Sequence, residues 1–464
     1  MQLMRLMAPP RTSPEAFLDR RRRLSRALRD AGVPAAAFCS GWARPRNFAH
    51  NVLPFRAESH FLYLTGLARE GAILVLDEAE GEALYVTEQD ASDVVWHGRE
   101  ASPEEIADEL LLPVLSLDDL PDQSHTAVLP PQDDESANWL SALLDRDVEA
   151  QGGPHLAGTD LALAQAMVDC RIVHDQPAIE QLRWASAMTA KAHKGTMARP
   201  RVWPSEAAVR GALVGQLVAG GLDLAYQPIV TKNGQILHAR ASQEPLQTGD
   251  LVLCDVGGET PEGWAGDVTR TWPSSGRFSE TQRIIYELVL EVQEQAIREV
   301  RAGARYLHLH QLALRELAKG LLAIGILKGS MDSLVDLGAA ALFCPHGLGH
   351  LLGLDVHDME DLGDLAGYAP GRSRSERPGE DALRLDRDLA PGMVVTIEPG
   401  FYQIPQLLAS AQGDPRLRDC VDWDLLTRFA DVRGIRIEDD VLVTEATPEV
   451  LSAGAPKHLS QVEG

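Results

Sequence analysis

At 464 residues the chain is too long for one ordinary core, so two domains are expected, and its 45% hydrophobic and 24% charged residues exclude wholesale disorder. A formal net charge of −25 repels phosphate backbones and argues against a nucleic-acid partner. No run of 18 apolar residues is present to span a membrane, and the N-terminal residues lack the apolar stretch of a secretory signal.

Residues 14–31 read as an amphipathic helix closed by Gly32, with the Arg20–Arg23 run as its solvated face. Ala35–Cys39, Ala72–Leu76 and Ala83–Val86 read as strands, the last two joined by the acidic turn DEAEGE. Glu104–Leu111 follows Pro103 as a short helix, and Ala127–Leu129 is a strand ended by Pro130. This half reads as a small α/β domain without a cluster of metal-type residues. A polar, Gly-containing stretch near 151–160 is the expected linker, which divides the chain into 1–160 and 161–464. Helices are then predicted over 161–169, 177–198, 205–220, 279–302 and 308–324. Strong strands fall at Leu251–Val256, Val268–Trp272, Met393–Ile397 and Gly434–Val443. They interleave without regular βαβ spacing, so an α+β domain with helices on an antiparallel sheet is expected. Residues 360–390 and 405–428 read as surface insertions, either solvated loops or walls of a substrate entrance. Five scattered cysteines, none in a C-x-x-C pair, make a disulfide framework or a cysteine-bound zinc unexpected and suit a reducing cytoplasm.

The chemistry lies in the second half. In LVLCDVGG (251–258) an apolar strand runs up to Asp255, which would be costly to bury without a cation or strong donors. Further on, GDVTRTW sets Asp267, Thr269 and Thr271 on one face by the period of two. HGLGHLLGLDVHD (346–358) holds His346, His350 and His357 among glycines that let the backbone approach closely. VVTIEPG (394–400) puts Glu398 at the end of an apolar strand, with Thr396 on its face and Pro399 stopping the ladder. GIRIEDDVLV (434–443) puts Arg436, Glu438 and Asp440 opposite Ile435 and Ile437.

Each of these residues alone would be an ordinary structural one. Together, four carboxylates at apolar strands and a Gly-flanked histidine cannot share one core unpaired. Four negative charges balance two divalent cations, and a hydroxide between the cations would complete the shell. Oxygen-rich ligation with one imidazole admits manganese (Mn2+), cobalt (Co2+), iron (Fe2+) or zinc (Zn2+), and manganese suits the carboxylate majority best. Two metals about 3.5–4 Å apart generate a hydroxide and clamp a substrate oxygen, which is hydrolysis chemistry. No H-E-x-x-H or G-x-S-x-G motif points to a different hydrolase.

These segments resemble the metal-binding signature of the pita-bread metallopeptidases, the M24 family of methionine aminopeptidase, prolidase and Xaa-Pro aminopeptidase. The resemblance implies an α+β fold: a creatinase/aminopeptidase-like catalytic domain behind a smaller α/β aminopeptidase P N-terminal domain. Carried over by position, it implies the metal ligands Asp255, Asp267, His350, Glu398 and Glu438. Asp267 and Glu438 would bridge two metals, with Asp255 on one and His350 and Glu398 on the other. Glu398 would also be the general base. HGLGHLLGLDVHD and NGQILHA (233–239) are similar to the proline-specific branch. That likeness implies an oxyanion-stabilising His357, with His238 and His346 on the prolyl side and Arg436 beside a bridging carboxylate. LPFRAESHFLYLTGL (53–67), with Arg56, resembles the signature of the Xaa-Pro aminopeptidase N-terminal domain, which in that family helps oligomerise and narrows access to the cleft. The gap between Asp255 and Asp267 is one residue longer than usual, which implies a wider turn at Thr260–Gly263. The two insertions resemble those of prolidases.

The expected activity is release of an N-terminal residue that precedes proline, by a homodimer or homotetramer with no membrane or nucleic-acid partner. A dipeptide-limited prolidase and a carboxypeptidase-like relative are the enzymatic alternatives. A non-catalytic peptide-binding scaffold is the alternative from another class, and it would be expected to have lost ligands that are all present here.

Overall fold

The computed structural model describes residues 8–150, 156–198 and 203–463. The expected linker falls in part on 151–155, outside the described residues. Two compact units are present, one of Pro10–Val173 with Met359–Ala366, the other holding His174–Asp358 and Gly367–Gly464. The helix Gly158–Arg171, read from sequence as opening the second half, groups with the first unit.

In the first unit the strand order is Val114–Ser116, Gly81–Val86, Ile73–Asp77, Ala35–Cys39, Ala127–Val128. The three middle strands pair antiparallel and the two outer ones parallel. The acidic turn closes tightly because Asp77 Oδ1 accepts from the backbone N–H groups of Ala79 and Glu80. The core gathers Ala37, Ile73, Val75, Tyr85 and Val128 against Leu140 and Leu144 of the helix Asp134–Leu144.

The first helix spans Pro14–Asp30, capped by Ser13 and opened by Pro14. Its arginine run corrects the sequence reading, because Arg20 and Arg21 are buried. They lie three and four residues from Phe17 and on the stripe that continues to Leu24 and Leu28. Arg20 stacks 4.8 Å over the Tyr63 ring and donates to the Tyr63 carbonyl. Arg21 donates to Glu82 at 2.9 Å and to the carbonyls of Leu64 and Leu110. Buried guanidinium groups persist because carboxylate and carbonyl oxygens take their protons.

The second unit is α+β, with antiparallel pairing between its named strands. One sheet runs Thr269–Pro273, Leu251–Asp255, Ile229–Thr231, and another Val394–Ile397, Asp439–Leu442, Glu449–Val450. The helices Gln176–Met197 and Glu206–Ala219 cover Val252, Cys254 and Val256, with Leu213, Leu217 and Trp272 in the same core. The predicted strand Gly434–Val443 is broken. Gly434–Arg436 pairs with Gly400–Tyr402, while Asp439–Leu442 pairs with Val394–Ile397. Ile437 and Glu438 lie in the gap. The turn after Asp255 closes where expected, with the Gly263 N–H on the Thr260 carbonyl.

The insertions are ordered rather than plain loops. Within 360–390, Asp386 is buried and takes two bonds from Arg305, and Glu380 accepts from Gln311. Residues 405–428 fold into three short helices, Pro405–Gly413, Pro415–Asp419 and Trp423–Thr427. All five cysteines are free. No helix among the described residues is long and apolar enough to cross a membrane.

Candidate active site

All nine candidate residues line one cavity of about 170 Å³ in the second unit: His238, Asp255, Asp267, His346, His350, His357, Glu398, Arg436 and Glu438. Asp255 ends a central strand and sits opposite Thr269 in the register, so Asp267 arrives beside it just before the neighbouring strand begins. The glycines of the 346–350 segment act as expected. A Cβ on Gly349 would lie 2.3 Å from the Thr396 carbonyl oxygen, so only glycine lets His350 pack this closely to the strand that carries Glu398.

His350 Nδ1 bonds the Leu351 carbonyl at 2.9 Å, which fixes Nδ1 as the donor. Its Nε2 faces Asp267 Oδ2 at 3.5 Å and Glu398 Oε1 at 3.6 Å. Burial opposes the charged imidazole, but these carboxylates outweigh it and raise His350 to about 9. Asp267 is held below the usual carboxylate range by His350 despite its burial. Burial pushes Glu398 up to about 7, opposed by His350 and Arg436. Glu438 is pushed well above its ordinary value by burial and then by Asp267, Glu398 and Asp255.

Arg436 departs from the sequence expectation. Its Nη2 pairs with Asp255 Oδ2 at 2.6 Å, and it reaches Glu438 only through Thr269, whose hydroxyl donates to Glu438 Oε2 at 2.6 Å. The reason is topological, since Gly434–Arg436, paired with Gly400–Tyr402, packs close to Leu251–Asp255, while Glu438 lies beyond the end of that strand. Arg436 also donates to the Tyr402 hydroxyl, which bonds His346 Nε2 at 2.8 Å. His346 Nδ1 meets the Gly347 carbonyl, and burial with the nearby Arg436 charge lowers its pKa to about 3, so the ring is neutral. The His357 ring centroid lies 4.3 Å from that of His350.

Sequence reasoning missed Tyr226, Tyr402 and Arg384. Tyr402 follows Glu398 by four residues, a signal that could have been used. Arg384 lines the cavity from within the 360–390 insertion, along with Ala382. No residue of 405–428 does so among the described residues. Tyr226 carries no motif. Its hydroxyl lies 2.5 Å from Asp255 Oδ1 and 2.5 Å from Asp267 Oδ1, a single proton for two carboxylate oxygens.

The donor set fits divalent cations. Ligand atoms of Asp267, His350 and Glu438 lie within 4.8 Å of one another, all on buried residues. Four carboxylates, three of them buried, face the cavity together with Arg384, Arg436 and four histidines, and the close packing of Asp255, Asp267, Glu398 and Glu438 is an accumulation of negative charge that divalent cations would relieve. A second group, Glu58, His60 and Asp361, lies in the first unit. There His60 Nδ1 meets the Arg171 guanidinium at 2.8 Å, which repels a cation, and Nε2 meets Asp361 at 3.0 Å.

Residues 180–445 match metallopeptidase family M24, and residues 17–139 match the aminopeptidase P N-terminal domain. The Xaa-Pro dipeptidases of Rattus norvegicus and Homo sapiens are each 30% identical, over 96% of this chain and 92% of their own. A probable Xaa-Pro aminopeptidase of Fusarium vanettenii is 32% identical over 89% of this chain and 87% of its own. Among solved structures, proline aminopeptidase P II from Yersinia pestis superposes with a TM-score of 0.77 at 28% identity, covering 97% of this chain and 99% of that one. Aminopeptidase P from E. coli, solved with the inhibitor Pro-Leu, gives 0.76 at 28% identity over 97% and 98%. The chain belongs to metallopeptidase family M24, a hydrolase of the aminopeptidase P type with that enzyme's N-terminal domain and the pita-bread catalytic fold.

Proposed function

We propose that this enzyme hydrolyses the peptide bond between an N-terminal residue and a following proline. The carrying observation is the convergence of all nine candidate residues on one cavity. Asp255, Asp267, His350, Glu398 and Glu438 would hold two divalent cations, with manganese the best match to the carboxylate majority. When bound, the cations supply an activated water and polarise the scissile carbonyl. Glu398, raised toward neutrality by burial, takes the proton of the attacking water. His357 stabilises the developing charge on the carbonyl oxygen, and His238 and His346 flank the prolyl side. Burial raises Asp255 above its ordinary value, and Arg436 opposes that rise and orients the carboxylate. The bond before proline has no N–H, so a site that activates water and carbonyl needs no donor from the substrate nitrogen. The five free cysteines suit a reducing cytoplasm, and a homodimer or homotetramer is proposed from the family likeness.

The dipeptidase relatives support a second reading, prolidase. Metal-stripped enzyme reloaded with manganese should be offered an Xaa-Pro dipeptide and an Xaa-Pro-Yaa tripeptide. Release of the N-terminal residue from the tripeptide is expected. Cleavage of the dipeptide alone would establish the prolidase reading, and cleavage of neither would overturn both.

A further inference from the structure

Two buried side chains that do not line the cavity, Arg270 and Asp440, bind the backbone on which Asp267 and Glu438 are mounted, and a third, Asp439, holds Arg270 in place. Arg270 is fully buried and uses each of its five N–H groups. Its Nε donates to the Pro456 carbonyl, and its Nη1 to the carbonyls of Thr269 and Glu438, the latter at 2.6 Å. Its Nη2 donates to the Ala455 carbonyl and to Asp439 Oδ1, the latter at 2.6 Å. Asp439 is also saturated, accepting from Arg270 and Ser452 on one oxygen and from Gln293 and Lys457 on the other. Asp440 accepts the Asp267 backbone N–H with both oxygens, at 3.2 and 3.1 Å, and its own N–H is held by Ser452 Oγ.

The geometry explains why such a device is needed. Glu438 sits in the break between two strands that belong to different sheets, so regular pairing does not fix it. Its N–H instead reaches the Thr269 carbonyl, and its carbonyl reaches Arg270. Asp267 lies two residues before its strand begins, and the Asp440 carboxyl takes its N–H. Adjacent residues of one short strand thus tie together the two carboxylates that come from opposite parts of the chain.

We propose that Arg270 and Asp440 are positioning residues that set the separation of the Asp267 and Glu438 carboxylates, and through it the affinity of the site for its metals. This rests on the two-metal reading above. Arg270 acts through the Glu438 carbonyl and Asp440 through the Asp267 N–H, and neither touches substrate.

The test measures manganese affinity of the full chain by chelator competition, well below the unfolding midpoint, alongside kcat and KM. Asp440→Ala should weaken metal binding and lower kcat about 10- to 100-fold, the usual scale for partners that orient ligands, with KM little changed. Asp440→Asn keeps an acceptor oxygen for the Asp267 N–H and should restore most of both. Arg270→Lys keeps a cation for Asp439 but loses the fork, and should weaken metal binding likewise. This variant decides the matter if Asp440→Ala does not fold. Parental metal affinity in the folded Ala and Lys variants would overturn the proposal, as would an Asn variant no better than Ala. A parent chain that binds no manganese would instead overturn the two-metal reading itself.

Discussion

Asp267 and Glu438 are each buried against other carboxylates, with few protein cations nearby to balance them. Removing either should therefore do more than delete a contact. Asp267→Ala or Glu438→Ala is expected to lose bound metal and to abolish measurable turnover, read by metal analysis and peptide cleavage. Retention of both metals with near-full turnover would show that the ligands lie elsewhere. Asp439 makes a second prediction at this scale. Burial alone would raise its carboxyl, but the Arg270 and Lys457 charges and hydrogen bonds overcome that and hold it below the ordinary range. Such a group contributes stability above its unfolded pKa, roughly 3.9, and loses it as pH falls through the lower folded value. Asp439→Ala should cost about 3–5 kcal/mol near neutrality, because Arg270 is left buried and unpaired. In urea unfolding, the gap between parent and variant should narrow below about pH 4; a constant gap would contradict the charge argument. The carboxylates were legible in the sequence because charge at the end of apolar strands is anomalous, whereas the histidines were reached through the Gly-rich 346–358 segment and the resemblance of that segment and NGQILHA to the proline-specific branch. The buried Arg20 and Arg21 were equally anomalous but were read as solvated, since a basic run suggests water more strongly than its spacing from Phe17 suggests a core. Tyr226 could not have been found, because a tyrosine in a loop signals nothing until its partners are placed.

At the scale of elements, the long helices and the strands ending at Asp255 and Ile397 followed from periodicity to within three residues at each end. The interruption at Glu438 did not. GIRIEDDVLV reads as one strand with Arg436, Glu438 and Asp440 sharing a face, and its two different strand partners split it. Pairing of this kind is a property of the tertiary fold, which local propensity does not encode. The same segment carries an element-scale prediction. A Cβ on Gly434 would meet the Gly234 carbonyl carbon at 2.2 Å and its oxygen at 2.4 Å, both backbone atoms that cannot turn aside. Gly434→Ala should force apart this strand and the 233–238 segment that carries His238, costing about 1–3 kcal/mol in a thermal or urea melt. Turnover should fall with it, and an unchanged melt with unchanged kcat would show that the approach is not essential.

For the molecule as a whole, two units and an α+β catalytic fold were readable from length and spacing, while the membership of residues 359–366 was not. A stretch rich in Asp, Gly and Leu offers no pattern that marks it for a distant partner. The net charge of −25 makes a further prediction. A strongly negative molecule draws cationic peptides and repels anionic ones, and salt screens both effects. The preference in kcat/KM for a Lys-Pro over a Glu-Pro N-terminus should shrink several-fold between about 10 mM and 500 mM salt, where the screening length falls from roughly 30 Å toward a few ångströms. A preference independent of salt would place its origin inside the cavity. The return of residues 359–366 to the first unit also orders events during synthesis. His60, buried there, has Asp361 as its Nε2 partner. That partner leaves the ribosome roughly 190 residues after Val173, a delay on the order of 10–40 s at ordinary elongation rates. The N-terminal unit can collapse early but cannot finish until much of the catalytic half has been made, so a nascent chain arrested before residue 359 would present it to chaperones and proteases as an unfinished domain.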